Sequence, residues 1–227
     1  MSQSQNPPRF ELQTRRGRTK AWGHLLWTDH GILREIYQNF HWLSPEMARS
    51  NQPSPPQIHA YAKAGLRTII NLRGEDDSGV YALEREACAA AGIELINFRV
   101  KSREAPSREV IFGARDLFAR LRYPALLHCK SGADRAGIMS ALYCHFRMGQ
   151  PIAQAMRQLS LRYGHVKQGK TGVLDYVFEQ YLSHGAQAGL SFSQWVEDGA
   201  YDPMAIRARF TSQFWANVLV DRLLRRE

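Results

Sequence analysis

The sequence has no long apolar run. Nowhere in its 227 residues does a hydrophobic stretch approach the roughly 20 residues that a membrane-spanning helix needs. The opening stretch, MSQSQNPPRFELQTRRGRTK, lacks the apolar centre of a secretory signal. Cysteine is scarce. The chain has three, none in a paired spacing, which argues for reduced thiols and a cytoplasmic setting rather than a disulfide framework. There is no internal repeat and no convincing metal-ligand spacing, so neither metal nor cofactor is expected. Gly169-Lys170-Thr171 superficially echoes a nucleotide-binding loop, but Gly164 lies five residues before Gly169 and no strand precedes it. Acid is also short at the start, where Arg9, Arg15, Arg16, Arg18 and Lys20 face only Glu11.

The remainder is ordinary for a globular chain, with 44% hydrophobic and 22% charged residues. The net charge of +9 favours an anionic partner: a phosphorylated substrate, an anionic lipid or a nucleic acid. Basic residues concentrate at the termini and no aromatic-basic stacking platform is evident, so nucleic acid is not expected. Residues 1–20 read as a flexible basic arm, 21–184 as the main domain and 185–227 as a helical C-terminal extension packed on it. Trp22 and Trp27 stand in an apolar segment, 21–37. That segment either packs across the back of the domain or touches an anionic membrane peripherally at its inner face; no clean amphipathic stripe supports the second reading.

Between Asn39 and Arg49 one or two short strands are broken by Ser44-Pro45. A helix then starts at the Pro53–Pro56 cluster and stops at Gly65. Leu66–Leu72 reads as a strand, about 80–91 as a helix ending at Gly92, and Ile93–Phe98 as the next strand. After a basic loop, 99–107, the residues Val110, Ile111, Ala114, Leu117, Phe118 and Leu121 mark a helical stripe. Strands alternating with helices imply βαβ units. The expected fold is therefore α/β, a mostly parallel central sheet flanked by helices, with loops 73–79, 99–106 and 129–135 meeting at the carboxyl ends of the strands.

The stretch 123–147 stands out. Ala125-Leu126-Leu127 runs into His128-Cys129, Arg135 follows six residues after the cysteine, and a helical pattern begins at once with Ile138, Ala141, Leu142 and Phe146. A loop entering a helix N-terminus aims free backbone N–H groups at one spot suited to phosphate. The same groups and a nearby arginine stabilise a thiolate. Arg135 offers a planar fork for two phosphoryl oxygens. Gly132 allows the turn.

This stretch, HCKSGADRAG, resembles the signature of the protein tyrosine and dual-specificity phosphatase superfamily. The segment from about Phe40 to Leu182 resembles a bacterial dual-specificity-type phosphatase, with Arg49-Ser-Asn-Gln-Pro53 and Gly65–Glu75 similar to its front half. The resemblance implies a metal-independent hydrolase with Cys129 as nucleophile and a thiophosphoryl-enzyme intermediate. Arg135 and the loop groups of Lys130, Ser131, Gly132, Ala133 and Ala136 would hold phosphate. The general acid of that family is an Asp from an earlier loop, whereas loop 99–107 carries only Glu104. Asp134, inside the signature, is the first candidate for the acid, with Glu104, Asp76 and Asp77 as alternatives. The other reading of Asp134 is a loop-stabilising acceptor or an ion pair with a basic neighbour. Ala136 lacks the hydroxyl that often follows the arginine.

Lys130 resembles the lysine of phosphoinositide phosphatases of the tensin type. Expected partners are thus a phosphorylated protein or a phosphorylated lipid headgroup. His165, Lys167 and Lys170, in a glycine-rich basic segment, either contact substrate or belong to a solvated linker. An RNA 5′-phosphatase and a catalytically weak phosphate-binding module are the rival functions.

Overall fold

A computed structural model of the chain describes residues 10–29, 37–199 and 201–211. The chain forms two compact units: a sheet unit, up to Arg99 plus Arg122–Ser131, and a helical unit, Val100–Leu121 plus Gly132 onward.

The sheet unit has five strands. β1 (His41–Ser44) and β2 (Met47–Ser50) make an antiparallel hairpin; β3 is Thr68–Asn71, β4 Glu94–Asn97 and β5 Ala125–His128. Their order is β1-β2-β5-β3-β4, parallel everywhere except the hairpin, so the fold is α/β with a mostly parallel sheet. Ser50 and Asn71 both register with His128, and Asn71 with Asn97. Four strands therefore end level, and Cys129 is the first residue beyond the central one.

Between the strands come α2 (Pro55–Lys63) and α3 (Gly79–Ala91), after α1 (Arg15–Gly23). Prolines open α2, where no donor is needed, and the Ser54 N–H donates to Gln57 Oε1 at 2.9 Å. Ser78 Oγ accepts from the Tyr81 N–H at 3.1 Å to cap α3, a contact worth about 1 kcal/mol. Gly92 ends α3 with φ +70°, a left-handed turn that glycine adopts without strain. Ala48, Ile58, Leu66, Ile69, Ala87, Cys88, Ile93 and Leu126 form one core cluster of sheet and helices. Met47, Ile70 and Leu127, on the alternate face, are also wholly buried, which is why these strands read as continuous apolar runs.

The expected flexible arm is not what residues 10–20 form. Thr14 caps α1 by accepting from the Gly17 N–H, and Leu12, Ala21 and Leu25 pack with Val80 and Leu83 of α3. A Cβ on Gly79 would lie 2.7 Å from Ala21 Cα, so glycine permits this approach. Arg18 forks onto Glu86 with two 2.8 Å contacts. Counting charge hid the apolar residues interleaved with the basic ones. Residues 1–9 lie outside the described residues. In the 21–37 segment Trp22 and Leu26 pack on the same cluster, while Trp27 is 73% exposed. Ile32, Leu33 and Ile36 lie outside the described residues.

The helical unit contains α4 (Arg108–Arg120), α5 (Asp134–Phe146), α6 (Ile152–Ala155), α7 (Val173–Gln180) and α8 (Phe192–Glu197), and residues 203–211 are helical. The buried residues of α4 are Ile111, Ala114, Leu117 and Phe118, with Phe118 edge-on to Tyr143 of α5. The boundary expected near residue 185 is not an edge of this unit. Phe192 packs against Phe146, Phe178 and Tyr181, and a Cβ on Gly185 would lie 2.6 Å from Trp195. Residues 212–227 of the expected C-terminal extension lie outside the described residues. No described helix is long and apolar enough to cross a membrane.

Candidate active site

The signature loop leaves the sheet unit after Ser131 and enters the helical unit at Gly132, and its two halves are anchored separately.

In the first half Cys129 is buried, 2% exposed. The chain just before it is fixed by the Leu72 N–H, which donates to the His128 carbonyl at 2.9 Å. The next two carbonyls are held as well. The Gln52 N–H donates to Lys130 O at 3.3 Å, and Asn39 Nδ2 donates to Ser131 O at 2.9 Å. Asn39 sits at φ +45°, a region that asparagine tolerates better than most residues. His128 is wholly buried with Nε2 2.6 Å from Glu84 Oε1, a close contact that lacks hydrogen-bond alignment. The other thiol in this unit is chemically different. Burial, with the Glu84 charge adding to it, pushes Cys88 up to about 12, so it stays protonated and inert.

Lys130 is not a bare cation. Its Nζ lies 3.3 Å from Asp29 Oδ1, and Asp29, 5% exposed, also receives both guanidinium nitrogens of Arg73 at 2.8 and 3.1 Å. Arg73 Nη1 reaches Gln52 Oε1 at 3.0 Å. The chain Gln52–Arg73–Asp29–Lys130 therefore ties the lysine that follows Cys129 to the neighbouring loops. Asp29→Asn is expected to destabilise the protein by roughly 1–3 kcal/mol in urea unfolding, because Arg73 loses a buried counter-charge. An unchanged midpoint would show that the pair carries no stability.

In the second half Gly132 takes φ +75° and α5 begins at Asp134, with Ala133 as a cap that offers no side-chain hydrogen bond. Arg135 stands in the first turn, half-buried. Ala136 and Gly137 are buried. A Cβ on Gly137 would come 2.7 Å from Leu159 Cδ2, so glycine lets the 158–159 segment lie against the first turn of α5.

The candidate acids are placed differently. Asp134 Oδ1 lies 2.7 Å from His165 Nδ1. Glu104 is paired with Lys101 at 2.8 Å and with Arg207 at 3.6 Å, and the Lys101 hydrogen bond holds its carboxyl below the usual range. Asp76 accepts from the Ser78 N–H at 2.9 Å and, with Asp77, lines a cleft in the sheet unit bordered by Phe10, Tyr81 and Arg85.

His165 is not a substrate contact. Its ring is buried and both nitrogens are taken, the second meeting Asp175 Oδ2 at 2.6 Å. The segment carries a core histidine because Asp134 and Asp175 supply the partners it needs. Lys167 pairs with Glu179, a contact that raises its pKa, and Lys170 is exposed. Sequence reasoning passed over Asp29, Asn39 and Asp175. Gln52 of the Arg49–Pro53 motif was the visible sign of the loop supports. Among the described residues no group of three or more His, Cys, Asp or Glu could hold a metal ion.

A thiol directly after the central strand, joined by a short loop to a helix with arginine in its first turn, defines the architecture of a cysteine-signature phosphatase. The family model described as "DSP-PTPase phosphatase fused to NAD+ Kinase" matches residues 44–176. The chain belongs to this dual-specificity-type phosphatase family. It is similar to the dual specificity protein phosphatase TpbA from two strains of Pseudomonas aeruginosa, 25% identical over 137 residues, 60% of this chain. It spans 56% of the length of those curated relatives. Among solved structures, that of P. aeruginosa TpbA matches with a TM-score of 0.50 at 19% identity, covering 78% of this chain and 92% of that one. Tk-PTP in its active form matches with a TM-score of 0.50 at 19% identity, covering 63% and 98%. These likenesses speak to the fold.

Proposed function

We propose that this protein is a metal-independent phosphomonoesterase that works through a cysteinyl-phosphate intermediate on phosphorylated tyrosine, serine or threonine side chains. The observation that carries the reading is the placement of Cys129. It is buried immediately beyond the central strand, at the start of a loop that ends in the N-terminal turn carrying Arg135. The Cys129 thiolate attacks phosphorus and the P–O bond to the leaving group breaks, the departing oxygen taking up a proton. Water then attacks phosphorus, the S–P bond breaks, and the thiolate returns with inorganic phosphate released. Arg135 and the loop N–H groups from Lys130 to Ala136 hold the equatorial oxygens through both steps. With no hydroxyl at Ala136, thiolate departure depends on the loop N–H groups and Arg135.

A phosphorylated protein side chain is preferred over a polyphosphorylated lipid headgroup, because the ammonium of Lys130 is already committed to Asp29. Glu104 is likewise held ionised by Lys101 and Arg207. The basic excess and exposed Trp27 support a peripheral encounter with an anionic membrane surface, from a cytoplasmic location.

The test is a panel of one small aryl phosphate, phosphotyrosine and phosphothreonine peptides, phosphoinositides and triphosphorylated RNA, each with chelator present. Hydrolysis of the aryl phosphate and the peptides is expected, with the lipids and RNA at least ten-fold slower. Phosphate binding without turnover of any substrate would leave a binding module; faster turnover of the lipids or RNA would reverse the substrate order.

A further inference from the structure

The most unusual feature of the helical unit is a buried histidine between two carboxylates. His165 Nδ1 is 2.7 Å from Asp134 Oδ1 and Nε2 is 2.6 Å from Asp175 Oδ2, with the side chain wholly buried. A neutral imidazole has one N–H and one bare nitrogen, and the bare nitrogen facing a carboxylate would oppose lone pair to lone pair. An imidazolium donates to both. The backbone that carries the ring is tied to its own loop: the His165 backbone N–H donates to Ser160 O at 3.1 Å, after Gly164 turns the chain at φ +78°.

The charged groups around it come from three elements. Asp134 faces it from α5 and Asp175 from α7, while Lys167, on its own loop, acts on Asp175 and is itself paired with Glu179. Burial alone pulls the ring down, but hydrogen bonds and charge from both aspartates outweigh it and raise His165 from 6.5 to about 9. Asp134 is the first residue of α5 and Arg135 the second, and Ala133 contributes no cap. Whatever holds Asp134 holds the turn that carries the arginine.

We propose that His165, backed by Asp175, is a positioning residue for the signature loop: as an imidazolium it donates to Asp134 and anchors the turn that carries Arg135. The inference rests on the phosphatase reading for its kinetic consequence, but not for its structural content. It also assigns Asp134 a role other than proton donor to the leaving group.

The first test needs no catalysis. The full chain with ¹⁵N-labelled histidine is titrated by NMR, and His165 is assigned by difference from His165→Gln. Both ring nitrogens are expected to show protonated shifts at pH 7 and to titrate near 9. A neutral ring at pH 7 overturns the proposal, whether or not the protein hydrolyses anything. The second test is kinetic. His165→Gln and Asp175→Asn are expected to lower kcat on aryl phosphates at least ~10-fold. Asp134→Asn should lose the same factor with a good and a poor leaving group. The wild type should lose activity as pH rises through 9, a limb absent from His165→Gln. Unchanged kcat in His165→Gln, or a loss in Asp134→Asn confined to poor leaving groups, overturns the proposal. A wild type inactive on all substrates defeats the phosphatase reading and leaves the imidazolium to be judged by NMR.

Discussion

Cys129→Ser is expected to abolish phosphate ester hydrolysis, with kcat at least ~10³-fold below wild type. The substitution is nearly isosteric, and Cys129 is buried at a strand end held by the hydrogen bonds of His128, Lys130 and Ser131, so the loop should keep its shape. What changes is the nucleophile. Sulfur is a far better nucleophile toward phosphorus than a serine hydroxyl, which needs a base beside it to take its proton. Inorganic phosphate should therefore still bind to the variant, measured by calorimetry, while turnover of an aryl phosphate disappears. Full activity in Cys129→Ser would sink the proposed mechanism. Cys88→Ala is the control: that thiol lies in the core cluster with its pKa pushed up to about 12, so its loss should lower stability and leave turnover intact.

Arg135→Lys comes second, with an expected fall in kcat/KM of about 10²–10³-fold, or roughly 3–4 kcal/mol of transition-state stabilisation. Lysine keeps the charge but offers a single point rather than a planar fork, and two equatorial oxygens of a transferring phosphoryl group need the fork. If lysine supported wild-type kcat/KM, Arg135 would be acting as a simple counter-charge. Both measurements use steady-state hydrolysis with chelator present, and retained thermal melting excludes unfolding as the cause.

Much of this was legible because it depends on local pattern. The short runs 68–71, 94–97 and 125–128 each hold two adjacent apolar residues such as Ile69-Ile70, Leu95-Ile96 and Leu126-Leu127, and the helix stops at Lys63 and Ala91 follow from the chain turning at Gly65 and Gly92. The Cys129–Arg135 loop announced itself by spacing, since a strand, a glycine-bearing turn and a helix start must be contiguous. Other features were not legible. Residues 10–20 looked like a solvated arm because basic residues dominate them, yet Leu12 packs with Ala21 and Leu25 on Val80 and Leu83 of α3. The free-looking cations were misleading for a similar reason: a sequence shows charges but not counter-charges. Asp29 lies 101 positions before Lys130, and Asp175 lies 10 after His165.

The sequence by itself determined the family, because thiol, turn and guanidinium are neighbours along the chain and their placement is set by one loop and one helix start. It also determined the alternation of strands and helices, hence the parallel sheet with Cys129 at a strand's carboxyl end. Only the tertiary structure decided which ionisable groups meet. It gave Lys130 to Asp29, Glu104 to Lys101 and Arg207, and Asp134 to a buried His165. Apart from Glu104 with Lys101, those pairings link residues distant in sequence, so no local pattern encodes them. At Asp29 and His165, both buried, loss of water leaves the nearest opposite charge as the remaining partner.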